Sequence, residues 1–281
     1  MSPWARRALR IERWSAALAG IGLGLVLSFI GNQMTAGTAP FIAGGAFLAW
    51  VVALLLRRLN PPVIDLITRT PLSLHSDTEC DENARRAYIG FVPLYTPQPG
   101  TEASKLSPNE RAEAVETLAF DRLDINLSNL APTITAIRCH KKNLEHCWLL
   151  PTADRSGHGS QPYAYLLAEY LRQREGLTCT FHYGSEYVIS LDQDALVFDK
   201  TYRRVRAVIG EAMKLGIAPR QMVADITTGV RSMTMGMVLA CLDRDQDVEV
   251  VGTRYDDRGR PTGDLFPLIF RFEPDLKDRE T

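Results

Sequence analysis

From Trp14 to Leu56 the chain carries no Asp, Glu, Lys or Arg, and Leu, Ile, Val, Ala and Gly dominate. A helix needs roughly 20 apolar residues to span a bilayer, fewer where the membrane thins. A polar, turn-forming run, Gly31–Pro40, interrupts the stretch. The pattern predicts an N-terminal unit over 1–60 with two short transmembrane helices, about 14–30 and 41–56, joined as a hairpin. Two alternatives stand beside it. One is a buried hairpin of a soluble protein, against which the lack of a polar stripe counts. The other is a signal peptide cleaved near Gly37-Thr38-Ala39, against which the second apolar run and Arg57-Arg58 count. Ala16, Gly20, Gly24 and Ser28 share one face of the first helix, and Gly45, Ala49 and Ala53 one face of the second. Such small faces let helices pack closely, within the hairpin or between protomers.

After Asn60-Pro61-Pro62 no period is visible until about residue 85, so 61–85 reads as a linker. Beyond it, apolar runs of strand length alternate with helical patterns. Strands are expected over 87–92, 146–150, 177–182, 222–226, 248–251 and 265–272. Helices are expected over 127–140, with Pro132 in its first turn, and over 163–174, 198–215 and 231–242. A polar insertion, about 98–120, holds a helix start at Ser107-Pro108-Asn109-Glu110. The alternation predicts an α/β domain over 86–275 with a parallel, doubly wound sheet.

Composition narrows the function classes. Lys+Arg 32 against Asp+Glu 33 gives a net charge of -1, which excludes a wholesale basic nucleic-acid binder and an acidic disordered tail. Six arginines, Arg6, Arg7, Arg10, Arg13, Arg57 and Arg58, flank the apolar runs, with Glu12 the one acidic residue among the first 60. The positive-inside rule then puts both ends of the hairpin, and the bulk of the chain, in the cytoplasm. The remainder is net acidic, so any anion site in it must be local. The five cysteines show no C-x-x-C spacing and are expected to be reduced and mostly buried. The five histidines form no helix-face pair, so no metal site is expected.

In a doubly wound sheet, ligands sit at the carboxyl ends of the strands. That brings three loops together: Leu94–Pro97, Thr152–Ser160 and Thr227–Ser232. The last two are rich in hydroxyls and glycine, and each carries an arginine, Arg155 and Arg231. A helix N-terminus beside Thr227, Thr228 and Ser232 suits a phosphate. The plainer alternative is a capped turn that Asp225 ties together.

Asp225-Ile226-Thr227-Thr228-Gly229-Val230-Arg231-Ser232-Met233 resembles the D-x-T-G-G-x-K-x-M loop of CARF domains, the cyclic oligoadenylate sensors of type III CRISPR systems. The likeness covers about 86–273, with Thr228 where Gly is common and Arg231 in place of Lys. It implies a Rossmann-like homodimer whose two-fold axis crosses a pocket for a cyclic oligoadenylate, cyclic tetra-adenylate above all. By position, Asp225, Thr227, Thr228, Gly229, Arg231 and Ser232 would form the phosphate- and ribose-binding turn. Thr152, Arg155, Ser156 and Ser160 would line the pocket, Tyr95 and Thr96 would close it, and His158 could stack on an adenine. No catalytic residue, cofactor or direct DNA binding is expected. The only output visible is the hairpin, which implies a membrane-attached antiviral effector in the bacterial inner membrane, assembling as a dimer or higher homo-oligomer. The alternatives are a ring nuclease that cuts its own ligand, a membrane-tethered CBASS-type receptor, and a Rossmann-like nucleotide-binding anchor.

Overall fold

The computed structural model describes residues 64–68, 71–154, 156, 158–244 and 246–276. The expected hairpin and residues 1–60 lie outside them. Residues 68–272 form one compact unit; outside it, among the described residues, strands β1 (Ile64–Thr68) and β11 (Phe272–Leu276) pair with each other.

The main unit is built on a seven-stranded sheet. Its strands are β2 (Leu72–Ser73), β3 (Ala87–Phe91), β4 (His146–Leu150), β6 (Thr180–His182), β8 (Met222–Asp225), β9 (Asp247–Tyr255) and β10 (Pro261–Phe270). They lie in the order β2-β10-β9-β8-β3-β4-β6. The five strands from β9 to β6 are parallel, and β10 runs antiparallel to both β9 and β2. Along the chain, β3 is the first of the parallel five, β4 and β6 extend the sheet to one side, and β8 and β9 to the other. The order reverses between β3 and β8, the switch point where a doubly wound sheet opens a crevice for ligands. A short parallel pair, β5 (Thr152–Ala153) with β7 (Ile189–Ser190), lies outside this sheet.

Residues alternate between the two faces of each strand. Tyr88, Leu149 and Val223 pack on one side with Ile134 of helix α5 (Ala131–Cys139) and Leu167 of α6 (Gln161–Gln173). Ile89, Trp148 and Ala224 pack on the other with Val208 of α7 (Asp194–Lys214) and Met237 of α8 (Arg231–Leu242). Gly236 lets α8 lie against α7, since a Cβ there would meet Phe198 O at 2.7 Å.

The expected strands β4 and β8 and helix α8 are found within a residue or so of their predicted bounds. Four expectations need correction. The sheet is mixed rather than parallel, because β9 returns as β10 through a tight turn. There Asp256 Oδ1 accepts the Arg258 and Arg260 N–H groups and Gly259 sits at φ +72°. The linker is structured in its second half, with β2 pairing to β10 and helix α1 (Asp77–Asn83) opened by a Ser76/Glu79 capping box. The insertion keeps its expected helix start, Ser107 capping α3 (Pro108–Glu116), but adds two short helices to it, α2 (Glu102–Lys105) and α4 (Phe120–Leu123). Finally, Cys147, Cys179 and Cys241 are buried free thiols, but Cys80 and Cys139 form a disulfide because α1 lies on α5 with their Cα atoms 4.8 Å apart.

Candidate functional site

The turn after β8 is fastened from below. Asp225 is wholly buried. Its Oδ1 accepts the Thr227 backbone N–H at 2.7 Å and the Thr227 hydroxyl, and its Oδ2 accepts the Tyr88 hydroxyl at 2.6 Å. The Thr227 oxygen accepts the Val251 N–H at 2.7 Å, so the turn is stitched to both β3 and β9. Thr228 does the same on the crevice side, its hydroxyl donating to Phe91 O at 3.0 Å. Gly229 then takes φ +103°, with the Phe91 ring so close that a Cβ would lie 2.8 Å from Cδ2. The left-handed residue is therefore Gly229, which tolerates it, and Thr228 keeps an ordinary backbone.

A buried polar chain lies beneath. Glu249 is the register partner of Asp225 on β9. His140 Nδ1 accepts the Arg85 N–H at 3.2 Å, so its ring proton sits on Nε2 and is donated to Glu249 Oε2 at 3.0 Å. Glu249 Oε1 has no partner among the described residues. Burial, and then the neighbouring Glu249 charge, push the Asp225 carboxyl up to about 6. Burial and the Asp225 charge push the Tyr88 phenol well up, which keeps it a donor.

Beyond the turn, α8 starts at Arg231. No side chain caps it and no acidic residue lies in its first turn. Its first N–H groups therefore have no intrahelical acceptor and face the positive end of the helix dipole. Arg231 is exposed and Ser232 half-buried. This combination favours an anion.

The loop after β4 is organised differently. Thr152 N–H donates to the buried Ser160 Oγ at 2.8 Å, and the two hydroxyls lie 3.3 Å apart. Between them, Asp154 Oδ1 accepts the Ser156 and His158 N–H groups, each at 2.9 Å, and the Ser156 hydroxyl at 2.6 Å. Those bonds hold the Asp154 carboxyl below its ordinary value, the Ser156 hydroxyl foremost. His158 Nδ1 lies 2.6 Å from Ser156 Oγ. The single Ser156 proton points at the carboxylate, which only accepts, so Nδ1 must donate to Ser156 Oγ. In the neutral ring, His158 Nε2 is the nitrogen that keeps a lone pair. Arg155 lies outside the described residues.

The loop after β3 contributes less than expected. Tyr95 is turned into the core, its hydroxyl bound to Leu123 O. Thr96 is exposed, and its N–H donates to Asn129 Oδ1 at 2.7 Å. Of the expected residues, Asp225, Thr227 and Thr228 converge on the Tyr88–Phe91 strand. Gly229, Arg231 and Ser232 continue from that turn into α8, and Thr152, Ser156 and Ser160 occupy the neighbouring loop.

No protein-family model matches this chain, and no curated protein matches it in sequence. A fold of this kind hosts many activities, so the site's chemistry carries the functional reading.

Tyr88, Phe91, Glu249 and Asp154 were missed at the sequence level. Asp154 stood in a loop already marked by its hydroxyls and glycines. The others are separated from Asp225 along the chain, and no local signal joins them.

Proposed function

We propose that this chain is a membrane-anchored antiviral effector whose CARF-like domain binds a cyclic oligoadenylate, most readily cyclic tetra-adenylate. Ligand binding to a homodimer drives assembly or gating of N-terminal hairpins in the bacterial inner membrane. The single observation that carries the reading is the turn at the strand-order switch. Thr228 and Gly229 hold it against β3, and the uncapped start of α8 lies beside Arg231 and Ser232. That is the chemistry a phosphodiester needs: backbone donors, the Ser232 hydroxyl and the Arg231 guanidinium in an otherwise net acidic domain. The charge-free Trp14–Leu56 segment supplies the anchor. A ligand that orders both protomers' turns would bias a two-state assembly.

One observation favours a second reading, in which the pocket also cuts its ligand. The Asp154–Ser156–His158 relay leaves His158 Nε2 bare, a base able to take a proton from a ribose 2′-hydroxyl. Incubation with labelled cyclic tetra-adenylate separates the two: intact ring supports pure sensing, and linear product supports cleavage.

The binding test is titration calorimetry of the full chain with cyclic tri-, tetra- and hexa-adenylate. Saturable binding of one ring per two chains is expected for one of the three. No binding to any of them contradicts the proposal.

A further inference from the structure

The segment from β2 to the end of α1 is held on the domain by unusually little. β2 contributes two residues, and α1 buries none of its own. The α1 capping box is internal to the segment, so it stabilises the helix without attaching it. The Lys142–Asp81 pair spans 3.3 Å between half-exposed groups and contributes little. Arg271 reaches Asn83 Oδ1 at 3.3 Å, also at the surface. Ahead of the helix, the Leu74 N–H donates to Pro267 O at 2.9 Å, Leu74 packs with Cys139 and Ile269, and the His75 ring lies 4.4 Å from that of Phe266; α1 itself is tied by Arg85 Nη1, which donates to Asn83 O at 2.8 Å, and by the covalent link from Cys80 to Cys139.

Access to that link is one-sided. Cys80 is half-buried and Cys139 is 5% exposed. A groove of about 870 Å³ opens on the pair, lined by His75, Ser76, Arg138 and Lys141 among others. Cys147 and Cys241 are fully enclosed and Cys179 is 8% exposed, and burial raises all three thiols, Cys179 to about 11. Their thiolates are correspondingly scarce at neutral pH.

We propose that Cys80–Cys139 is a redox-active clasp, a site of thiol–disulfide exchange with dithiols, that controls whether residues 72–83 are docked on the domain. In the opening direction a dithiol's thiolate attacks Cys80 Sγ. The Cys80–Cys139 bond breaks, and its electron pair leaves on Cys139 Sγ, which takes a proton. The second thiolate of the reductant attacks the mixed disulfide, releases Cys80 as a thiol once protonated, and departs as an intramolecular disulfide. Two electrons and two protons pass to the chain. Closing is the same exchange in reverse, with a disulfide as the oxidant. In a reducing compartment, where the function proposed above puts this domain, the resting clasp is open and oxidation closes it. The exchange itself does not depend on that placement. The strands β3, β4 and β8 are paired independently of residues 72–83.

The test is native-state hydrogen exchange on the full-length protein, oxidised and after incubation with dithiothreitol, with native iodoacetamide labelling of each form. Reduction should accelerate exchange over 77–83 at least tenfold and leave β3 and β8 amides unchanged. Label should reach Cys80 and Cys139 but not the fully enclosed Cys147 or Cys241. Equal exchange over 77–83 in both forms would overturn the proposal. So would a disulfide that dithiothreitol opens only once the domain is denatured, or loss of β3 and β8 protection on reduction, which would make the bond a staple of the whole fold. The C80S/C139S variant, which lacks the two label sites, must match the reduced form in its exchange over 77–83 and in the protection of β3 and β8.

Discussion

The turn after β8 and the loop after β4 leave the same edge of the sheet and are both rich in hydroxyls, yet they use them oppositely. The β8 turn hands its polar side chains downward. Asp225 and Thr227 serve Tyr88 and Val251, and Thr228 serves Phe91 O. The β4 loop keeps its polar groups to itself: Asp154 gathers Ser156 and His158 within five residues of chain. One is a scaffold that presents the start of α8; the other is a self-contained cage that presents an imidazole. A motif such as Asp-x-Thr therefore mixes two kinds of residue. Its acid and first threonine set the backbone, and the groups that follow are the ones left for a ligand.

The contrast is most severely stressed at Asp225. Asp225→Ala leaves the Tyr88 hydroxyl and both Thr227 donors without their acceptor in the interior, and should cost about 3–5 kcal/mol of stability in urea unfolding. Asp154→Ala, in the exposed cage, should be far less destabilising in the same measurement. Equal losses at the two sites would erase the distinction.

Acidity probes the same difference without mutation. Asp225 carries a folded-state pKa of about 6, above its unfolded value, so the native protein holds the extra proton between roughly pH 4 and 6. Stability should fall by about 3 kcal/mol as pH rises through that window and level off above it. Asp225→Asn should abolish this component. Asp154 is shifted the other way and is exposed, so its replacement should leave the slope over pH 4–6 intact. A wild-type profile that stays flat or rises over that range would contradict the burial argument.

Gly229→Ala is a smaller stress. It forces a Cβ toward the Phe91 ring at φ +103°, and should cost about 1–3 kcal/mol together with a weakened ligand affinity. If stability drops but affinity does not, the turn is scaffold throughout.

Much of this architecture is legible in the sequence, and the failures have physical causes. β4 and β8 are short apolar runs buried along nearly their whole length, so hydrophobicity alone marks them. β9 is apolar only in its first half and runs outward half-exposed to Tyr255, so its outer half and its antiparallel return as β10 went unread. α1 has a capping box but no buried residue, hence no periodic apolar signal. At the site, hydroxyl-rich loops at the switch point were readable from spacing. The inward turn of Tyr95 and Ser160 was not, because it depends on distant partners such as Leu123 and Thr152. The Cys80–Cys139 bond joins residues 59 apart with no pairing motif.

The smallest expected effect on the fold belongs to the residue that matters most to the account. Arg231 is exposed and takes no part in the ties that hold the turn, so Arg231→Ala should change stability by no more than about 0.5 kcal/mol. The decisive measurement is calorimetric titration of cyclic tetra-adenylate into wild type and Arg231→Ala side by side, with unfolding curves for both. The account predicts saturable binding of one ring per two wild-type chains, and at least a hundredfold loss in a variant that is equally stable. An Arg231→Ala protein that binds the ring as tightly as wild type would show that the start of α8 is not the ligand site.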